Sequence, residues 1–132
     1  MTEETYTIGQ MCREYDVTPR TLRFYEYKEL LAPIREGQKR LFTNTCRARL
    51  SLILRGKRFG FSLAEIKDLL DLYEVGDGQL TQLTETLKTA ERHHRELIDQ
   101  RDELNTAIGE LEEQMDMVRT MLRNKSTSEA AE

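Results

Sequence analysis

The chain has no tryptophan, only two cysteines and only two prolines in 132 residues, and each scarcity closes off a class of answer. Cys12 and Cys46 lie far apart and form no Cys-x-x-Cys pair, so the pattern gives no disulfide framework and no zinc finger. Two buried or half-buried free thiols are expected instead. No stretch approaches the roughly 18 apolar residues of a membrane span, and the N-terminus lacks the basic and apolar regions of a signal peptide. A cytoplasmic protein that needs no membrane partner is expected. There is no Ser/His/Asp set, no phosphate-binding glycine loop and no convergent pair of carboxylates, which argues against an enzyme and implies no cofactor.

What is present is charge, at 33% of residues, and an uneven distribution of it. The net charge is −4, yet residues 8 to 60 hold 12 Lys/Arg against 5 Asp/Glu, giving +7, while residues 61 to 132 hold 8 against 17, giving −9. A local basic module beside an acidic remainder is the footprint of a chain that binds a polyanion with one part and turns the other away.

Short elements fill the first half. Thr7-Ile8-Gly9-Gln10 has the form of a capping box and opens a helix over about 8 to 14, with Ile8, Met11 and Cys12 at helical spacing. Tyr15-Asp16-Val17 makes a turn, and Thr18-Pro19 caps a second helix over about 19 to 28. Leu22, Tyr25 and Glu26 can share one side of it, leaving Arg20, Arg23 and Tyr27 elsewhere on the cylinder. Leu22 and Phe24 are expected in the core, and Tyr25 either there or at a contact. Two short helices three residues apart describe a helix-turn-helix.

Beyond Leu30-Leu31-Ala32-Pro33, Ile34-Arg35 and Arg40-Leu41-Phe42 flank Glu36-Gly37-Gln38-Lys39, which predicts a small hairpin, a wing. Thr43 caps a third helix over about 44 to 57, with Leu50, Ile53 and Leu54 apolar and Gly56 and Gly60 at its end. Ser62-Leu63-Ala64-Glu65 starts a fourth over about 63 to 73, with Ile66, Leu69, Leu70 and Tyr73 inward. Gly76-Asp77-Gly78 is a hinge. The domains expected are a head at 1–75, a hinge at 76–79, a long helix at 80–123 and a frayed polar tail at 124–132.

The long helix carries Leu83, Leu87, Ala90, His94, Leu97, Arg101, Leu104, Ile108, Leu111, Met115, Val118 and Leu122 in alternating steps of four and three. More than five heptads of that spacing make a coiled-coil seam, which needs a partner. Gly109 costs the helix about 1 kcal/mol but lies off the seam. His94 and Arg101 on the seam can fix register across a dimer, or His93-His94 can belong to a metal or pH sensor; no cluster with ligand spacing surrounds the pair.

In order and wording these segments resemble the MerR family of bacterial regulators. Thr7-Ile8-Gly9-Gln10 is similar to its opening, Val17-Thr18-Pro19-Arg20-Thr21-Leu22-Arg23-Phe24-Tyr25-Glu26 to its recognition helix, Leu30-Leu31-Ala32-Pro33 to the entry of its wing, and Phe59-Gly60-Phe61-Ser62-Leu63-Ala64-Glu65-Ile66 to the end of its head. The resemblance spans about residues 7 to 73. It implies a mainly all-α fold: a winged helix-turn-helix head with a small β-hairpin wing, then a dimerisation helix forming an antiparallel coiled coil. It also implies a homodimer on a near-palindromic site in double-stranded DNA, distorting a promoter read by RNA polymerase.

Chemistry fits the implied contacts. Arg20 and Arg23 can bond base edges or phosphates in the major groove, and Thr18, Thr21 and Tyr25 offer hydroxyls to phosphates. Lys39 and Arg40 would reach backbone or minor groove. The wing departs from the family's Tyr-Arg-x-Tyr pattern, with Gln38-Lys39-Arg40-Leu41-Phe42 in place of both tyrosines. Metal-sensing relatives carry cysteines near the end of the dimer helix, and no Cys follows Cys46, so a metal thiolate sensor and a bound metal are not expected. Drug- and cobalamin-sensing relatives add a domain for which the residues after the helix leave no room. Arg55-Gly56-Lys57-Arg58-Phe59-Gly60-Phe61-Ser62-Leu63 and Arg35-Glu36-Gly37-Gln38 resemble the small proteobacterial branch linked to leucine, isovalerate and fatty-acid breakdown, which implies an acyl-CoA-like effector. Two other readings fit the same pattern: an architectural, excisionase-like DNA-bending protein, and a coiled-coil adaptor whose head binds protein.

Overall fold

The computed structural model describes residues 4–75 and 80–131, with the side chains of residues 73–75 and 131 left aside. The expected hinge at Gly76-Asp77-Gly78 and the inward position of Tyr73 therefore lie outside the described residues. The chain divides into two compact units, Met1–His93 and His94–Glu132.

The first unit begins with α1 (Ile8–Tyr15) and α2 (Pro19–Tyr27). Thr7 and Gln10 form the full reciprocal cap of α1, with Gln10 N donating to Thr7 Oγ1 at 3.1 Å and Thr7 N to Gln10 Oε1 at 2.8 Å. Asp16 ends α1 in the left-handed region at φ 54°, which Asp tolerates better than most residues and which lets α2 start soon after. Thr18 caps α2 and Pro19 takes its first position, where a missing N–H costs nothing.

The end of α2 turns the chain sharply. Glu29 sits at φ 63° in a place where glycine is usual; its N–H donates to Glu26 O and that of Leu30 to Tyr25 O, both at 2.9 Å. Those two bonds aim Leu30 and Leu31 into the core. The wing follows as β1 (Ile34–Glu36) and β2 (Lys39–Leu41), antiparallel, with Ile34 opposite Leu41, Arg35 opposite Arg40 and Glu36 opposite Lys39. Gly37, at φ 64°, takes the first position of the two-residue turn, as the strand twist requires. Phe42 pairs with Tyr6 through two 2.8 Å backbone bonds, tying the wing's exit to the start of the head.

Helices α3 (Asn44–Arg58) and α4 (Leu63–Val75) complete the head. Leu50 and Ile53 of α3 and Ile66 and Leu70 of α4 join Met11, Leu22, Tyr25, Leu30, Leu31 and Phe42 in one core, with Leu54 and Leu69 half-buried. Each large apolar side chain buried there contributes about 1.5–3 kcal/mol over its exposed state. Cys46 is buried and Cys12 half-buried, both as free thiols.

Two expectations need correction here. Phe24 is 42% exposed and not in the core; it shares the outer face of α2, because residues 20, 23, 24 and 27 are neighbours on a helix. Gly56 lies inside α3 rather than at its end, and only Gly60, at φ 90°, serves the C-terminus, where Gly60 N donates to Lys57 O and Phe61 N to Gly56 O. Gly56 is there for space: a Cβ on it would stand 2.8 Å from Cγ1 of the buried Ile66. Gly56→Ala is expected to destabilise the head by about 1–3 kcal/mol through overpacking between α3 and α4, despite the higher helix propensity of alanine. Urea unfolding checks it; a rise in stability would show that the helices separate freely.

Helix α5 runs from Leu80 to Ala131, 52 residues or about 78 Å at 1.5 Å per residue. The polar tail expected from residue 124 is therefore helical as far as Ala131. Residues 124 to 131 contain neither Pro nor Gly, so nothing in them stops a helix already propagating. Among the described residues, no helix is long and apolar enough to cross a membrane.

Candidate nucleic-acid interface

The geometry of α2 decides what the head can touch. Leu22 is fully buried and Tyr25 is 2% exposed, which anchors one side of the helix. The opposite side presents Arg20, Arg23, Phe24 and Tyr27, all exposed, Tyr27 at 79%. Arg20 and Arg23 have no ion-pair or hydrogen-bond partner among the described residues. Two unpaired guanidinium groups on the first turns of a rigid, capped helix can form bidentate bonds to a planar acceptor edge or a phosphate. Lys28 closes this face, with its Nζ 5.7 Å from the ring centroids of both Phe24 and Tyr27.

The threonines at the helix start are committed to the cap. Thr18 Oγ1 accepts from Thr21 N at 3.1 Å and lies 2.9 Å from Thr21 Oγ1. Their outer surfaces still flank Arg20. Tyr25 is turned inward and meets Lys57 of α3, whose Nζ lies 5.9 Å from its ring centroid, so the basic end of α3 lies beside α2. The run Arg55-Gly56-Lys57-Arg58 is the signal for this second group of cations.

The wing residues divide. Lys39 is exposed, without a partner among the described residues. Arg40 is engaged: its Nε donates to Glu26 Oε2 at 2.5 Å, and Arg35 Nη1 donates to Glu26 Oε1 at 3.0 Å. Helical spacing places Glu26 on the packed side of α2 but gives no sign of its bond to the wing. Partial burial works against its charge, but the Arg40 and Arg35 bonds outweigh it and hold the carboxyl below its ordinary range. Other cations of the module are also satisfied internally. Arg47 pairs with Glu14 and covers the Tyr6 ring at 4.7 Å, and Arg49 Nε donates to Leu30 O at 2.8 Å.

The two histidines of α5 diverge. His94 is exposed, whereas His93 is 8% exposed, with Nε2 3.0 Å from Glu65 Oε1 and its ring 4.7 Å from that of Phe61. Glu65 is also the capping carboxylate of α4, accepting from Ser62 N at 2.8 Å, and Arg92 Nη2 lies 2.6 Å from its other oxygen. The Ser62 backbone bond lowers the Glu65 pKa most, partial burial opposes it, and the His93 bond lowers it further. Among the described residues no group of three His, Cys, Asp or Glu side chains could hold a metal ion.

Both carboxylates prefer the ionised form when folded, which fixes a sign. Their contribution is complete above the ordinary carboxylate value of 4.5 and is lost as pH falls through the lower folded-state values. The thermal midpoint is expected to fall on acidification below 4.5, and less steeply in Glu65→Gln, measured as melting against pH. Equal pH slopes in the two proteins would contradict the assignment.

On α5 Ala90 is half-buried, and the seam positions from Leu97 onward are open. Leu104, Ile108, Leu111, Met115, Val118 and Leu122 are between 41% and 64% exposed. His94 and Arg101 on the same seam are exposed too. An apolar stripe of that length on a single helix is a surface for a partner.

A capped helix-turn-helix with a two-stranded wing and a long helix defines the winged helix-turn-helix class of nucleic-acid-binding proteins. Residues 6–72 match the MerR HTH family regulatory protein description, and residues 47–114 match the MerR DNA-binding description. The chain belongs to the MerR family, whose members are DNA-binding regulators and not enzymes. It is 38% identical over 69 residues to the HTH-type transcriptional regulator ZntR of Escherichia coli (strain K12), covering 51% of this chain and 49% of that one. The match thus spans about half the length of that relative. An HTH-type transcriptional regulator of Pseudomonas aeruginosa is 33% identical over 101 residues, covering 75% of this chain and 74% of that one. Among solved structures, HiNmlR, described as a MerR family regulator lacking the sensor domain and bound to promoter DNA, superposes with a TM-score of 0.63 at 28% identity, covering 80% of this chain and 79% of that one.

Proposed function

We propose that the protein is a homodimeric transcription regulator that binds a near-palindromic promoter site, each head placing α2 in the major groove and the wing against the adjacent backbone. The observation that carries this reading is the outer face of α2, where Arg20 and Arg23 stand exposed and unpaired on a helix fixed from behind by Leu22 and Tyr25. A promoter-DNA complex of a relative of the same fold supports it. Pairing of the open α5 seam with a second copy, antiparallel as in the family, would hold two heads at a fixed spacing, so that a palindrome mirrors the protein's symmetry. Distortion of the DNA between the half-sites would present the promoter elements to RNA polymerase in a new phase. The segments Arg55–Leu63 and Arg35–Gln38 favour genes of branched-chain amino acid or fatty-acid degradation, with an acyl-CoA-like metabolite as effector.

The test is equilibrium binding at physiological salt to a duplex from the protein's own promoter region and to a random duplex of equal length. A preference of about 10³ or more supports regulation. A ratio near one contradicts it and favours an architectural DNA-bending protein.

A further inference from the structure

We infer that Phe24 is a specificity-determining residue whose ring reads a thymine methyl group in the major groove. The inference rests on the DNA-binding reading above and adds to it an apolar contact that the arginines of α2 cannot supply.

Arg20, Arg23, Phe24 and Tyr27 form one stripe along the outer face of α2, with each arginine one helical turn ahead of a ring, Arg20 before Phe24 and Arg23 before Tyr27. Phe24 is 42% exposed and is the one member of that stripe without a hydrogen-bonding group. Packing of the head does not account for it. The inner side of the helix is closed by Leu22 and Tyr25, and the Phe24 ring lies outside them, 6.0 Å from the Tyr25 ring between centroids. Lys28 Nζ stands 5.7 Å from the ring centroids of both Phe24 and Tyr27, so a shared cation holds the two exposed rings and little order remains to be imposed when a partner covers them. Base edges in the major groove carry donors and acceptors at every pair and a single apolar feature, the C5-methyl group of thymine. A ring that can neither donate nor accept is matched to that methyl, whereas Arg20 and Arg23 are matched to guanine or to phosphate. Tyr27, 79% exposed, carries a hydroxyl that a phosphate can satisfy, so the methyl contact falls to Phe24. Losing one methyl from such a contact weakens binding about fourfold, and a symmetric site presents the contact twice, for about fifteenfold in all.

The experiment is equilibrium binding of the full-length protein, at physiological salt, to a duplex from its own promoter region and to the same duplex with deoxyuridine in place of every thymidine within both half-sites. That exchange removes methyl groups and leaves every hydrogen-bonding group of the bases in place. The parent is expected to bind the uracil duplex about fifteenfold more weakly. Phe24→Ala is expected to bind the two duplexes alike, with a melting temperature close to the parent's because the ring is exposed. Equal binding of the two duplexes by the parent overturns the proposal without recourse to any variant. A preference for the thymine duplex that persists undiminished in Phe24→Ala also overturns it, by assigning the methyl to another residue. A parent that binds its promoter duplex no better than a random one overturns the DNA-binding reading itself, a result distinct from the loss of the methyl preference alone.

Discussion

Arg23→Ala is expected to weaken binding to the specific site by about 2–6 kcal/mol per dimer, because a base contact of about 1–3 kcal/mol is lost in each of two half-sites. The fold should not register the change. Arg23 is exposed and has no partner among the described residues, so its removal leaves no buried group unsatisfied. The melting temperature of Arg23→Ala therefore stays within the scatter of the parent while affinity collapses. Binding to random DNA should fall far less, since only one of several cations is removed from each head. A titration with both duplexes, beside a thermal melt, separates these effects. Equal losses on both duplexes would make Arg23 a phosphate ligand, and no loss on either would remove α2 from the interface.

Leu111→Asp has the second large expected effect. Leu111 is 60% exposed on the single chain, so the substitution costs almost nothing there. In a paired seam the same position is dry, and each unpaired buried carboxylate costs roughly 3–5 kcal/mol. A symmetric dimer suffers that twice. The expected result is a monomer by sedimentation at micromolar concentration, with helical content reduced, since a helix this long draws most of its stability from packing. Glu113→Lys, on the outward side of the same heptad, is the control and should leave the dimer intact. A dimer that persists in Leu111→Asp would place the interface elsewhere.

Much of this architecture is legible in the chain because its signals are local. Thr7, Thr18, Thr43 and Ser62 each mark a helix start within four residues, and Pro19 and Gly37 act through their own backbone angles. The features that escape such reading depend on residues far apart. Glu26 reaches Arg35 and Arg40 nine and fourteen residues away, and His93 meets Glu65 across 28 residues. Gly56 resembles a helix terminator because its close approach to Ile66 leaves no trace in sequence. Residue type alone sends Phe24 to the core, although its helical neighbours Arg20 and Tyr27 place it outside. In that case the period is the better guide than the chemistry of the side chain.

The candidate site follows the same division. Arg20, Arg23 and Lys39 are exposed, as their positions suggest, while Tyr25 faces inward and Arg40 is held by Glu26. Basic composition alone counts all of these cations equally. The fold sorts them into those that are paired internally, as Arg40 is with Glu26, and those that stand unpaired among the described residues, as Arg20, Arg23 and Lys39 do.

The most direct test of the central claim is hydroxyl-radical footprinting of the full-length protein on its own promoter region at physiological salt. Two protected half-sites related by a dyad, with centres separated by whole helical turns and lost together in Arg23→Ala, are the predicted result. Uniform weak protection along the duplex, unchanged by the substitution, would contradict it.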